Sequence, residues 1–177
     1  ADAPLLMALA RESQQRLSSF KPQELANTSW AFATIGHPCA PLFNALAREA
    51  EQHVGDFNPQ DLANTAWAFA TVGQLDALLF TALARKAEQC MGDFKPQNFA
   101  NVAWAFATVG QPDELLFMAL ARESEQQASD FTPQNLANTS WAFATVGQVD
   151  TLLFTALARE ADRRTGDFTP HNLANMA

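Results

Sequence analysis

The sequence predicts an all-α chain, a right-handed α-solenoid of 37-residue helix-turn-helix repeats, and three observations predict it. Phe20, Phe57, Phe94, Phe131 and Phe168 fall 37 residues apart, and the four tryptophans of the chain, Trp30, Trp67, Trp104 and Trp141, keep the same step. Within each period proline and glycine stand at fixed places that suit a helix start and a helix end. Between those marks lie two segments whose apolar residues recur at helical spacing, so each period makes a pair of antiparallel helices.

Residues 1–19 read as the second helix of a truncated repeat, since APLLMALARE (Ala3–Glu12) aligns with APLFNALARE (Ala40–Glu49). Full repeats follow at 20–56, 57–93, 94–130 and 131–167, and 168–177 reads as the partial first helix of a next repeat. The expectation is one continuous solenoid domain, a fragment of a longer protein. In each repeat the first helix starts at a proline, Pro22, Pro59, Pro96, Pro133 or Pro170, whose fixed φ suits the first helical position. Asn58, Thr132 and Thr169 precede it as caps, whereas Lys21 and Lys95 are poor caps and predict weaker starts. The helix runs for about 14 residues, roughly 21 Å, to Gly36, Gly73, Gly110 or Gly147, where glycine can take the left-handed conformation that closes it. After a short turn the second helix starts at Asp76, Asp113 or Asp150; in the first repeat Pro41, at the first helical position, takes the place of that cap.

On a helical wheel Leu25, Thr28, Ser29, Phe32 and Ile35 share one arc, continued by Ala26, Trp30 and Ala33. An arc that wide packs on the partner helix and on the next repeat. The strip left over carries Gln23, Glu24, Asn27, Ala31 and Thr34. The second helix has a narrower apolar arc of Leu42, Phe43, Leu46, Ala47, Ala50 and Val54, with Asn44, Arg48, Glu51 and Gln52 opposite, and reads as the solvent-facing outer helix. The first helices would then line the concave side.

Composition narrows the function. The chain is 48% apolar and 17% charged, with a formal charge of −8 and an isoelectric point near 4.7, so the surface as a whole repels polyanions. Cys39 and Cys90 occupy different repeat positions and form neither a disulfide framework nor a metal motif; the expectation is reduced thiols in a cell interior. No apolar run approaches the length of a membrane span. His37, His53 and His171 are scattered over unrelated positions, without a metal-ligand cluster, a phosphate-binding glycine loop or an activated nucleophile. No enzyme, cofactor or metal site is expected.

The candidate binding residues are those that recur without a packing reason. Asn27, Asn64, Asn101, Asn138 and Asn175 repeat inside the first helix, where asparagine is a poor residue. Their amides could hold an extended ligand, or could bond a neighbouring helix and fix the register of the array. Beside them one position varies, Glu24, Asp61, Asn98, Asn135 and Asn172, while Gln23, Gln60, Gln97 and Gln134 flank the ladder. A constant contact plus a variable one is how a modular reader of single-stranded RNA works; a solvated edge with acids favoured near a helix N-terminus gives the same pattern. Arg11, Arg48, Arg85, Arg122 and Arg159 form a ladder on the second helix, where Glu51, Glu88, Glu125 and Asp162 stand at ion-pair spacing. The tryptophans could stack on bases, but the wheel sets Trp30 beside Ala26 and Ala33, which favours core packing.

The repeat, with FxPQxLANTxWAFATxG in its first helix and LLFxALARExE in its second, resembles the octotricopeptide repeat family and the related helical repeats of FAST-kinase-like proteins. Leu25, Ala26, Asn27, Trp30, Ala31, Ala33, Gly36 and their equivalents carry the resemblance, which covers nearly the whole chain. It implies an α-solenoid acting as an organellar RNA-binding factor, in a plastid or mitochondrion. The leading expectation is therefore single-stranded RNA along the concave strip at about one nucleotide per repeat. The alternative is a protein-interaction scaffold that holds an extended or basic partner. No membrane partner is expected, and uncapped ends could associate end to end.

Overall fold

The computed structural model describes residues 3–36 and 39–176, and every regular element among them is a helix. The α-helices are α1 (Ala3–Arg16), α2 (Pro22–Thr34), α3 (Ala40–His53), α4 (Pro59–Thr71), α5 (Ala77–Cys90), α6 (Pro96–Thr108), α7 (Glu114–Gln127), α8 (Pro133–Thr145), α9 (Thr151–Arg163) and α10 (Pro170–Met176). Even-numbered helices are the first members of the repeats and odd-numbered helices the second. His37 lies outside the described residues.

Local chemistry sets the boundaries. The Asn58 side chain accepts from the N–H groups of Gln60 and Asp61, and Thr132 accepts from Asn135, while Lys21 and Lys95 supply no side-chain cap. Gly73 has φ of 68°, and a Schellman pair closes α4, with Gly73 N–H donating to Ala70 O at 3.1 Å and Gln74 N–H to Phe69 O at 3.0 Å. The same closure ends α6 and α8. Asp76, Asp113 and Asp150 cap α5, α7 and α9 as expected. Pro41 falls one residue inside α3, whose first residue is Ala40. A feature not foreseen is a 3₁₀ turn after each odd helix, such as Val54–Asp56 and Met91–Asp93. The recurring phenylalanine follows it: Phe57 N–H closes the turn onto Val54 O, and its ring is buried.

The helices pack in two layers. Each even helix lies against the even helices before and after it and against the odd helix that follows; odd helices pack on odd neighbours. The even layer is much the tighter, because its contact faces are built from small residues. Ala26, Ala63, Ala100 and Ala137 are wholly buried, as are Ala68, Ala105 and Ala142 at the position where the wheel had placed Ala31 in the polar strip. Repeats are joined by one recurring contact, the edge-to-face pairs Phe43–Phe69, Phe80–Phe106 and Phe117–Phe143, with ring centroids 5.0 to 5.1 Å apart, each worth about 0.5–1.5 kcal/mol beyond its buried area. One long side chain adds a tie between repeats, Lys86 Nζ donating to Gly55 O, while Arg164 Nη1 donates to Phe131 O and closes the 131–167 repeat on itself. Of the odd-helix arc, Leu42, Phe43, Leu46, Ala47 and Ala50 are buried as expected and Val54 is half-buried, whereas Ile35, just past the end of α2, is 48% exposed. Its equivalents Val72, Val109 and Val146 are half-buried against the core.

Candidate functional site

The outward strip of the even helices is narrower and more aromatic than the wheel suggested. Gln60, Asn64, Trp67 and Thr71 follow one another at steps of four, three and four residues, which keeps all of them on one face. Gln60 and Thr71 are exposed, Asn64 and Trp67 half-buried, and the same pattern holds on α6 and α8. On α2 all four members, Gln23, Asn27, Trp30 and Thr34, are exposed.

Between adjacent even helices the strip opens into clefts. One cleft of ≈ 390 Å³ has Asn58, Gln60 and Asn64 on the α4 side and Lys95, Gln97, Asn98 and Asn101 on the α6 side, with Asp93 at its rim. The next, also ≈ 390 Å³, is the same cleft moved on by one repeat: Lys95, Gln97 and Asn101 face Thr132, Gln134, Asn135 and Asn138, with Asp130 at the rim. Asn101 and Gln97 therefore serve two clefts. Asn27 and Glu24 line a separate open depression with Phe20 and Thr28, and Gln23 stands exposed on α2.

Four of the five ladder amides have no side-chain partner among the described residues. Among the described residues no side-chain hydrogen bond is made by Asn27, Asn64, Asn101 or Asn138; Asn175, in the short α10, lies 3.5 Å from His171 Nε2. Since half-buried polar groups in folded chains generally find partners, these amides are held ready for water or a ligand. The reading in which each asparagine ties the array in register has no bond to support it.

The variable position has a structural task that the sequence reading did not give it. It is the third residue of each even helix, and its side-chain oxygen accepts the backbone N–H of the cap residue: Lys21 to Glu24, Asn58 to Asp61, Lys95 to Asn98, Thr132 to Asn135 and Thr169 to Asn172. Asp61, Asn98, Asn135 and Asn172 are buried, so in these four repeats the position is not a solvated edge, whereas Glu24 is exposed. One side-chain oxygen is thus committed in every repeat. Asn98 and Asn135 still line the clefts, and no hydrogen bond of their Nδ2 groups is seen among the described residues. Burial pushes the Asp61 carboxyl above its ordinary value of 3.8, against the opposing pull of the Asn58 backbone N–H.

Two further expectations are corrected. The tryptophans are core residues only in part: Trp30 is 46% exposed, whereas Trp67, Trp104 and Trp141 are half-buried and pack against the core with one side left open. Trp67, Trp104 and Trp141 form a row with centroids 6.5 Å apart and planes tilted by 33°. The signal was present in the sequence as the spacing of Trp30 from Asn27 and Thr34. The arginine ladder lies on the odd helices, away from the clefts, and none of the expected pairs three residues on forms among the described residues. Arg122 instead meets Glu123 at 3.0 Å, and Arg159 lies 3.8 Å from Glu160.

The strip is neither a positive nor an acidic stripe. Each cleft combines Lys95 with one aspartate and is otherwise lined mainly by amides. Such a surface offers hydrogen-bond donors and acceptors with little net charge. A family model described as RNA-editing substrate-binding complex 6 protein (RESC6) matches residues 2–165. No curated protein matches the chain. The match places the chain with an RNA-related helical family, and the family it gives is not the octotricopeptide repeat.

Proposed function

The chain belongs to the RNA-editing substrate-binding complex 6 family, and on that premise we propose that it is a non-catalytic binding module for single-stranded RNA. In this reading the two layers curve as a right-handed α-solenoid, with the closer-packed even helices lining the concave side. RNA runs across successive even helices at about one nucleotide per repeat. Asn27, Asn64, Asn101 and Asn138 make the constant contacts, each offering a donor and an acceptor to a base edge. Gln23, Gln60, Gln97 and Gln134 flank them. The variable position biases base choice through what its capping bond leaves over, an amide donor at Asn98 and Asn135 and a carboxylate oxygen at Glu24 and Asp61.

The observation that carries this reading is the row of unpartnered amides opening into clefts that repeat with the period of the helices. With one lysine per cleft, binding should lose little affinity as salt is raised. The test is selection from a randomised pool of short single-stranded RNAs, with the Asn64→Ala, Asn101→Ala double variant as control. Enrichment of a short motif that the double variant loses supports the reading, and no enrichment at low salt rejects it.

A second reading is a scaffold for an extended basic protein segment. The aspartates at the cleft rims, Asp93 and Asp130, and the net charge of −8 favour it. Binding of a lysine-rich peptide that single-stranded RNA fails to displace would select it over the first.

A further inference from the structure

We propose that the tryptophan row of the even helices is a stacking surface for the bases of single-stranded RNA, an inference that rests on the RNA reading above. Trp67, Trp104 and Trp141 succeed one another at 6.5 Å with planes tilted by 33°. That separation is an ordinary tilted aromatic pair, and all three rings nevertheless remain only half-buried. Trp30, the equivalent residue of the first repeat, is nearly half exposed. Each ring sits one helical turn beyond a ladder asparagine, so every repeat presents an amide and an aromatic face side by side.

Three physical points give the row a ligand role beside its packing role. None of the four indole nitrogens is among the buried unpartnered polar atoms and none makes a hydrogen bond among the described residues, so these N–H groups face solvent and are open to an acceptor on a ligand. The neighbours on the same strip are glutamine, asparagine and threonine, so each ring stands at the boundary of core and outward strip, with one side packed inward and the other open. Finally, the charge of −8 removes phosphate attraction as the main source of affinity. Stacking works without charge and tolerates any base. It is the term that lets an acidic protein hold RNA.

The experiment uses the whole chain and anisotropy of end-labelled probes: a short oligouridylate, a short oligoadenylate, and a ribose-phosphate oligomer of equal length without bases. The variants are Trp104→Leu, which removes the π face, and Trp104→Phe, which keeps one. The expected result is binding of both oligonucleotides, little binding of the abasic oligomer, and quenching of indole fluorescence. Trp104→Leu should weaken binding about 5- to 150-fold, and Trp104→Phe far less. If the oligonucleotides bind but the abasic oligomer binds equally well and fluorescence is unchanged, stacking is overturned while RNA binding stands. If no oligonucleotide binds the unaltered chain, the RNA reading fails and the inference fails with it. The abasic comparison and the quenching use the unaltered protein, so they decide even where Trp104→Leu does not fold.

Discussion

Replacing Asn64, Asn101 and Asn138 together by alanine should make the protein more stable and worse at binding. Each asparagine lies inside an even helix and makes no internal side-chain bond, so the substitution removes no interaction within the described residues. Alanine is the better helix former by roughly 0.5 kcal/mol per site, which gives about 1.5 kcal/mol for the three. For a chain of this length that is a rise in melting temperature of about 3–6 °C. The assay is thermal and urea unfolding followed by circular dichroism, run beside RNA anisotropy on the same samples. Two signs are predicted, a gain in midpoint and a loss of affinity. A loss of about 1 kcal/mol or more per site, the cost of a broken hydrogen bond, would refute the reasoning, because it would mean that the amides hold the array together.

Lys95→Thr installs at α6 the cap that Thr132 supplies to α8; it should add about 1 kcal/mol of stability, and the slope of log affinity against log salt should fall by about 1. A melt and a salt titration check both, and an unchanged slope would remove Lys95 from the binding surface. Thr65→Val and Thr139→Val should be neutral or stabilising by about 1 kcal/mol in urea unfolding, because both hydroxyls are buried without a partner and Val102 already occupies this position in the third repeat. Destabilisation of both would show that the hydroxyls are bonded. Asp61 gives a pH test: its raised folded value means that the fold holds the proton more tightly than the unfolded chain, so its contribution is full below 3.8 and is lost as pH rises through the folded value. The stability of Asp61→Asn relative to the unaltered chain should therefore grow with pH across that window and then level off; a difference that shrinks as pH rises would contradict the assignment.

What the sequence made legible was local. Pro59, Asn58, Gly73 and Asp76 fix helix ends through bonds to residues within a few positions, and all four do what their spacing predicts. The capping-box spacing from Lys21 to Glu24, or Asn58 to Asp61, was also readable, but the variation at its second member drew the reading towards ligand choice. Trp30 was assigned to the core because a wheel centred on Leu25 absorbs any large apolar residue near its edge. Its steps to Asn27 and Thr34 place it outside. The clefts were not legible at all. Their size depends on how closely the even helices approach; α4 packs on α6, where Ala63, Ala66, Ala100 and Ala103 are buried, and spacing along the chain does not report that distance. Nor does it report which oxygen of Asn98 is already taken.

The most direct test of the central claim is photochemical cross-linking of a short 4-thiouridine-substituted single-stranded RNA to the chain, with the attachment sites located by mass spectrometry. The account predicts cross-links confined to the outward strips of the even helices, within residues 60–71, 97–108 and 134–145, with Trp67, Trp104 and Trp141 among the sites. Cross-links on the odd helices beside Arg85, Arg122 and Arg159 would contradict it, because they would show RNA following the arginine ladder on the other layer.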